Sequence, residues 1–145
     1  KKEVPEAQLH FLGRGDFRPY LEKLSRELGV VNSTKFFGFV SEEDKVKYLS
    51  HAHCFVNTSM KEGWGITNIE ANACGTPVIS ADVPGLRDSV LNEESGLLYQ
   101  YGNIPELAHL IIKVLKNNNL RERLSIGAVR WAKTFSWDKS AYLML

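Results

Sequence analysis

Short apolar runs alternate with longer stretches of helical periodicity along this chain, and this alternation limits the folds open to it. The runs at residues 7–12, 35–39, 54–56, 76–80 and 96–99 are expected to be strands. The stretches between them repeat apolar residues at helical spacing and often end at glycine. Strands that alternate with helices predict a parallel sheet with helices on both faces. The sequence therefore predicts an α/β, doubly wound architecture.

The last third of the chain is predicted to be helical. One apolar stripe runs from Leu107 to Leu115, and a second amphipathic stretch runs from Leu120 to Phe135. A final short helix is expected over Trp137–Leu145. Neither a repeat nor a linker divides the sequence, so residues 1–145 are expected to form a single domain.

Composition narrows the class of protein. The 145 residues are 43% hydrophobic and 24% charged, which is typical of a globular protein rather than a disordered or fibrous chain. A formal net charge of +1 argues against a dedicated nucleic-acid binder. No apolar run approaches the roughly 20 residues that a membrane helix needs. Cys54 and Cys74 read as small core residues rather than as a disulfide or metal pair, and a cytoplasmic location is expected.

The segment 61–70 carries the densest group of chemically useful residues. Parallel sheets bind ligands beyond the carboxyl ends of their strands, where this loop is expected to lie. Its two glycines let backbone approach a ligand closely, and the helix predicted from Ile66 offers free amides that favour a phosphate. Seven residues separate Glu62 in the loop from Glu70 about one turn into the helix. A carboxylate beside a bound phosphate can accept both hydroxyl hydrogen bonds of a ribose, so the segment predicts a nucleoside diphosphate site.

Other interpretations of the same residues remain open. A Gly-x-Gly pattern is common in turns, Glu70 can be a solvated helix residue, and Glu62 can be an ordinary loop carboxylate. Trp64 either shapes a sugar pocket or wedges the loop, and the sequence does not favour one over the other. Arg87 and Asp88 are expected to form a solvated pair, and Trp131 is expected to pack in the interior.

The segment Glu62–Pro77, EGWGITNIEANACGTP, resembles the signature of the group-1 family of retaining, nucleotide-sugar-dependent glycosyltransferases of the GT-B fold. Five further segments are similar to family motifs: Leu12–Gly15, Phe37–Val40, Val83–Asp88, Gly96–Leu98 and Phe135–Trp137. The resemblance covers nearly the whole chain. It implies the Rossmann-like C-terminal, donor-binding domain of such an enzyme.

The resemblance also implies a role for each matching residue. Glu62 would be the catalytic candidate, placed near the reacting centre of the donor sugar. Glu70 would bind the ribose hydroxyls. The backbone amides of Gly63, Trp64 and Gly65 would contact the sugar hydroxyls. The backbone amides of Ile66 and Thr67 would contact the distal phosphate. Phe39 and Val40, with Glu42 beside them, would meet the nucleobase, largely through backbone.

No metal and no cofactor are expected beyond a nucleotide-diphosphate sugar, UDP- or GDP-linked, because the sequence shows no Asp-x-Asp pattern. The family carries a strand and helix ahead of the position of Ala7, with an Arg and a Lys that clamp the diphosphate, and an N-terminal domain for the acceptor. The chain is therefore expected to be a partial domain that is inactive alone. Association with a membrane surface is expected only through the full-length enzyme.

Two further hypotheses belong to different functional classes. In the first, the chain is a non-catalytic nucleotide-binding module of the same architecture, and Glu62 has no chemical role. In the second, it is a generic doubly wound interaction domain with no nucleotide affinity.

Overall fold

A computed structural model describes residues 1–136 of the chain. Two compact units divide it: the first spans Lys1–Lys47, and the second begins at Tyr48. The prediction of a single domain stays a prediction.

The first unit is built around two parallel strands. It contains β1 (Leu9–Leu12), α1 (Arg18–Glu27), a 3-10 turn and β2 (Thr34–Gly38). Leu9 pairs with Thr34 in the parallel register of β1 and β2. The rings of Phe11 and Phe36 stack at 4.8 Å, which packs the two strands together on one face.

The helix α2 (Glu42–His51) begins directly after Ser41, whose side chain caps it. The backbone N–H of Asp44 donates to Ser41 Oγ at 3.1 Å, which satisfies one of the free amides at the helix start. Three acidic residues occupy the first turn, where the helix dipole favours negative charge.

The second unit carries a three-stranded parallel sheet. Its elements in chain order are β3 (Phe55–Asn57), α3 (Ile66–Ala73), β4 (Val78–Ala81), a 3-10 turn (Arg87–Ser89), β5 (Gly96–Tyr99), α4 (Ile104–Lys116) and α5 (Asn118–Ala132). The strands lie in the order β3-β4-β5, and both pairs are parallel. The predicted α/β class, with parallel strands and intervening helices, is confirmed.

Side chains from successive strand positions enter two different cores, as strand geometry requires. On one face of the sheet, Ile79 and Leu97 pack with Val114 of α4 and Leu124 of α5. On the other face, Val78 packs with a smaller cluster of three residues: Leu49 of α2, Ala71 of α3 and Val90, which follows the 3-10 turn. Because both faces are covered by helices, β4 is buried at all four positions.

The boundary between α4 and α5 differs from the prediction. The second amphipathic stretch is predicted from Leu120, but α5 already starts at Asn118. The Asn117 side chain caps it by accepting a hydrogen bond from the Leu120 N–H at 2.9 Å. The helix expected over Trp137–Leu145 lies outside the described residues.

Two smaller expectations concern cysteine and hydropathy. Both cysteines are free thiols, and burial raises the pKa of the Cys54 thiol to about 11, against a smaller opposing effect of the Arg121 cation. Across residues 1–136, no helix combines the length and apolarity that crossing a bilayer requires.

Gly127 allows α5 to touch the loop that precedes β5. A Cβ added there would lie 2.0 Å from the carbonyl oxygen of Glu94, far inside contact distance. Glycine normally weakens a helix, so Gly→Ala in a helix usually stabilises the protein by about 1 kcal/mol. Here we expect Gly127→Ala to lower the free energy of unfolding by about 2 kcal/mol, because backbone must move to admit the methyl group. Urea unfolding followed by circular dichroism measures this change.

The matched control is Asn119→Ala, at an exposed position of the same helix. We expect that substitution to change the free energy of unfolding by no more than about 0.5 kcal/mol. A Gly127→Ala variant as stable as the parent chain would show that α5 does not approach Glu94 this closely.

Candidate functional site

The loop from β3 to α3 ends in a conformation that requires glycine. Gly65 precedes the first residue of α3 with φ 65° and ψ 45°, in the left-handed region. A Cβ there would lie 2.6 Å from Ser89 Oγ and 3.0 Å from a methyl group of Leu86. Backbone conformation and space therefore both demand glycine at the point where the loop enters the helix.

The first turn of α3 presents the free amides expected at a helix start. The Asn68 N–H is bonded to the Gly65 carbonyl at 2.9 Å. The preceding amides have no partner within the helix, and Gly65 has no side chain with which to cap them. Ile66 and Thr67 are exposed, which leaves this turn accessible to an anion.

The two glutamates of the segment occupy different surroundings. Glu62 is an exposed residue of the loop, whereas Glu70 is partly buried in the second turn of α3. The structure thus places one carboxylate before the helix start and one after it, as the spacing predicted. Gly63 is exposed beside Glu62.

A second glycine, Gly85, lies directly against the backbone of the loop. Gly85, in the turn after β4, has φ 84°, and a Cβ on it would lie 2.1 Å from the carbonyl oxygen of Glu62. The loop backbone therefore rests directly on the Pro84-Gly85 turn. In the same segment Arg87 pairs with Asp82, at 2.7 Å between Nε and Oδ1, so the expected pairing of Arg87 with Asp88 is wrong. The 3-10 turn that starts at Arg87 lets its side chain reach back along the chain to Asp82.

Trp64 packs against the end of the helical region. Its ring meets Phe135 edge to face, with centroids 4.8 Å apart, and Phe135 meets Trp131 in the same way. Trp131 is further fixed by donating from Nε1 to the Ser89 carbonyl at 3.0 Å. These contacts favour the interpretation in which Trp64 wedges the loop, and they bear out the packing role expected for Trp131.

A buried polar network lies under the first turn of α3, and the sequence analysis missed it. Asn57 at the end of β3 donates from Nδ2 to Asn68 Oδ1 at 3.0 Å. Asn68 Nδ2 donates in turn to the hydroxyl oxygens of Ser80, at 3.2 Å, and Ser89, at 2.8 Å. The sequence offered one signal for this network. Asn57 and Asn68 carry side-chain amides at positions where the strand and the helix face the core.

The residues expected at the nucleobase lie in the first unit. Phe39 is 72% exposed, and the Arg14 guanidinium sits 5.3 Å from the centroid of its ring. Val40 is partly buried. Glu42 opens α2 and pairs with Lys45 at 2.7 Å.

Comparisons with known proteins agree with the motif. The family pattern of the group 1 glycosyl transferases matches residues 1–131. A D-inositol 3-phosphate glycosyltransferase of Thermomonospora curvata is 35% identical over 134 residues, which are 92% of this chain and 31% of the relative. The chain thus spans about a third of the length of this relative.

Two solved structures are similar in fold and sequence. Sucrose-phosphate synthase from Thermosynechococcus elongatus superimposes with a TM-score of 0.89 and 31% identity, over 98% of this chain and 38% of that protein. Anabaena Alr3699/HepE, solved in complex with UDP, gives a TM-score of 0.81 and 25% identity, over 90% of this chain and 37% of that one. Because the family pattern spans residues 1–131 and the Thermomonospora relative is 35% identical over 92% of the chain, the chain belongs to the group 1 glycosyltransferases.

Proposed function

We propose that this chain binds the nucleotide-diphosphate sugar donor of a retaining glycosyltransferase. The observation that carries the proposal is the left-handed Gly65, which turns the loop straight into the exposed first turn of α3 between Glu62 and Glu70. Membership of the family and the similarity to a protein solved with UDP support it.

The first turn of α3 is the proposed phosphate site. The amides of Ile66 and Thr67 would hold the distal phosphate, assisted by the partial positive charge of a helix N-terminus, roughly half an elementary charge. In donor cleavage the negative charge grows on the departing nucleoside diphosphate, so a preformed amide cluster stabilises the transition state. We propose that this proceeds without a metal and without a further cofactor.

The loop is the proposed sugar site. The backbone of Gly63, Trp64 and Gly65 would contact the sugar hydroxyls. Glu62 would act at the reacting centre, where it positions the sugar and stabilises the charge that develops there. This assignment rests on the family motif and on the exposure of Glu62 beside the glycine-rich turn.

For the first unit the proposal rests on the resemblance alone. Phe39 and Val40, with Glu42 beside them, would meet the nucleobase, largely through backbone. A UDP- or GDP-linked donor is proposed.

Transfer needs an acceptor, and we propose that an N-terminal domain of the complete enzyme binds it. The support is that this chain spans about a third of its relatives. The isolated chain is accordingly expected to bind donor but not to transfer sugar. We further propose a cytoplasmic enzyme whose contact with a membrane surface, if it has one, is made by the complete protein.

A two-dimensional amide NMR titration of this chain with UDP, GDP and ADP tests the proposal. We expect shifts at residues 62–70 and 39–42, which would also rank the three nucleotides. A well-dispersed spectrum that no nucleotide or nucleotide sugar moves would contradict donor binding by this chain.

The ribose assignment of Glu70 gives a sharper prediction. A carboxylate that accepts two hydroxyl hydrogen bonds is a stronger partner than a carboxamide, because bonds to a charged acceptor are the stronger ones. We expect Glu70→Gln to weaken binding of the preferred nucleotide by about thirtyfold. Isothermal titration calorimetry or the NMR titration measures the affinity.

The control for Glu70 uses the ligand. A 2′,3′-dideoxy nucleotide lacks both hydroxyl groups, so it should bind the parent chain and Glu70→Gln with equal affinity. An equal loss for both ligands would mean that Glu70 supports the fold and does not contact the ribose.

A further inference from the structure

The polar network under α3 is buried and fully paired. Asn68 is 0% exposed and Asn57 is 8% exposed. Within the described part of the chain, every buried side-chain nitrogen and oxygen has a hydrogen-bond partner. Networks of this kind hold one arrangement, because any other leaves a polar group unpaired in a low dielectric.

The network fixes the start of α3 in particular. Asn68 is the third residue of the helix, and its side chain joins that first turn to β3, to β4 through Ser80, and to the 3-10 turn through Ser89. Gly65 lies against the same groups, since a Cβ on it would be 3.3 Å from Asn68 Nδ2. The turn that carries the Ile66 and Thr67 amides therefore packs directly against the network, because Gly65 has no side chain to separate them.

The network also sets the direction of one hydrogen bond at the surface. Asn57 Nδ2 lies 3.5 Å from Thr67 Oγ1, on the exposed first turn of α3. An amide NH₂ group only donates, so the Thr67 oxygen accepts this bond. The orientation of Asn57 is fixed because its other donor bond goes to Asn68 Oδ1. The Thr67 hydroxyl proton is therefore left to donate to another acceptor.

We propose that the Thr67 hydroxyl is a hydrogen-bond donor to the distal phosphate of the bound nucleotide, and that Asn57 is the positioning residue that holds it in that role. The inference rests on the proposed function, which assigns the same turn to the phosphate through its backbone amides. It adds a side-chain contact and the buried residue that orients it. Ionised phosphate oxygens accept hydrogen bonds and do not donate them. A hydroxyl whose oxygen already accepts a bond from Asn57 still has its proton to donate, so it suits such an oxygen.

UDP and UMP binding by this chain test the proposal, since only UDP has the distal phosphate. Thr67→Val replaces the hydroxyl by a methyl group of similar shape. We expect it to weaken UDP binding by about tenfold and to leave UMP binding within about twofold. Thr67→Ser keeps the hydroxyl and should bind UDP like the parent. Thr134→Val, at an exposed threonine whose hydroxyl donates to the Trp131 carbonyl, is the matched control and should also bind UDP like the parent.

A double-mutant cycle tests the positioning role of Asn57. Leucine matches asparagine in shape and cannot donate, so Asn57→Leu frees the Thr67 hydroxyl to turn. We expect Asn57→Leu to weaken UDP binding about threefold to tenfold in the parent and to have no further effect in Thr67→Val. A structural role, in which Asn57 only seats the turn that carries the Ile66 and Thr67 amides, would instead lower the affinity for UDP by the same factor in both backgrounds.

The outcomes separate the inference from the function on which it rests. If the parent chain binds UDP and Thr67→Val binds it equally well, the hydroxyl contact is wrong and donor binding stands. If Asn57→Leu acts equally in both backgrounds, the positioning role is wrong. A parent chain that binds no UDP overturns the proposed function and this inference with it. Should Asn57→Leu fail to fold, the comparison of Thr67→Val with Thr67→Ser decides the hydroxyl contact by itself.

Discussion

Replacing Glu62 with alanine in the proposed two-domain enzyme is expected to reduce sugar transfer by about 10²–10³-fold. The structure leaves this carboxylate exposed in the loop before the amide-rich start of α3, where the donor sugar is proposed to lie. Charge that develops at the reacting centre would lose its nearest stabilising group. The loss should appear mainly in kcat, measured by release of nucleoside diphosphate in the presence of acceptor, because the phosphate and ribose contacts remain.

A binding measurement separates chemistry from folding for this variant. The exposed loop position of Glu62 predicts that the fold tolerates alanine, so Glu62→Ala should keep donor affinity within a few fold. Glu122→Ala, at an exposed position of α5, is the matched control and should transfer sugar at the parent rate.

The same variant distinguishes the two nucleotide-binding hypotheses. Near-normal transfer by Glu62→Ala would remove Glu62 from catalysis. If the parent enzyme instead bound nucleotide and transferred no sugar, the non-catalytic module would be the better description. A protein with no nucleotide affinity at all would leave only the interaction-domain hypothesis.

The start of α3 was predictable from sequence because its cause is local. Two glycines around an aromatic residue, followed by a helical pattern, predict a tight turn into a helix, and Gly65 does adopt a left-handed conformation there. The alternation of strand and helix predicted the parallel class for a similar reason. Each element shows its own periodicity in the sequence.

Contacts between distant segments were not predictable in the same way. The pairing of Trp64 with Phe135 joins residues that lie far apart in sequence, and no local pattern encodes it. The contact between Asn57 and Asn68 was not predicted, because one sequence does not show which polar side chains face one another in the interior. Arg87 pairs with Asp82 and not with its neighbour Asp88, because the 3-10 turn that starts at Arg87 directs its side chain back toward Asp82.

Close backbone approach is also invisible in a sequence, and it makes Gly85 the most sensitive position beneath the loop. A Pro-Gly pair is typical of a turn, but it does not show that the Glu62 carbonyl would lie 2.1 Å from a Cβ at Gly85. Alanine at Gly85 must both adopt a φ of 84° and displace the loop backbone. We expect Gly85→Ala to lower the free energy of unfolding by about 3 kcal/mol, from backbone strain and steric overlap together.

Gly102 separates the two contributions, because it has nearly the same φ without the neighbour. Its φ is 82°, and a Cβ on it would meet nothing within 4 Å. Gly102→Ala should therefore cost only the backbone strain, about 1 kcal/mol. Chemical denaturation of both variants measures the difference. Where Gly85→Ala still folds, its amide NMR shifts should change at Glu62 and Gly63, and its affinity for a nucleotide sugar should fall more than its affinity for the nucleotide alone. Equal destabilisation by the two alanines would mean that the Gly85 turn does not support the loop, and the Glu62 backbone would then need another explanation for its position.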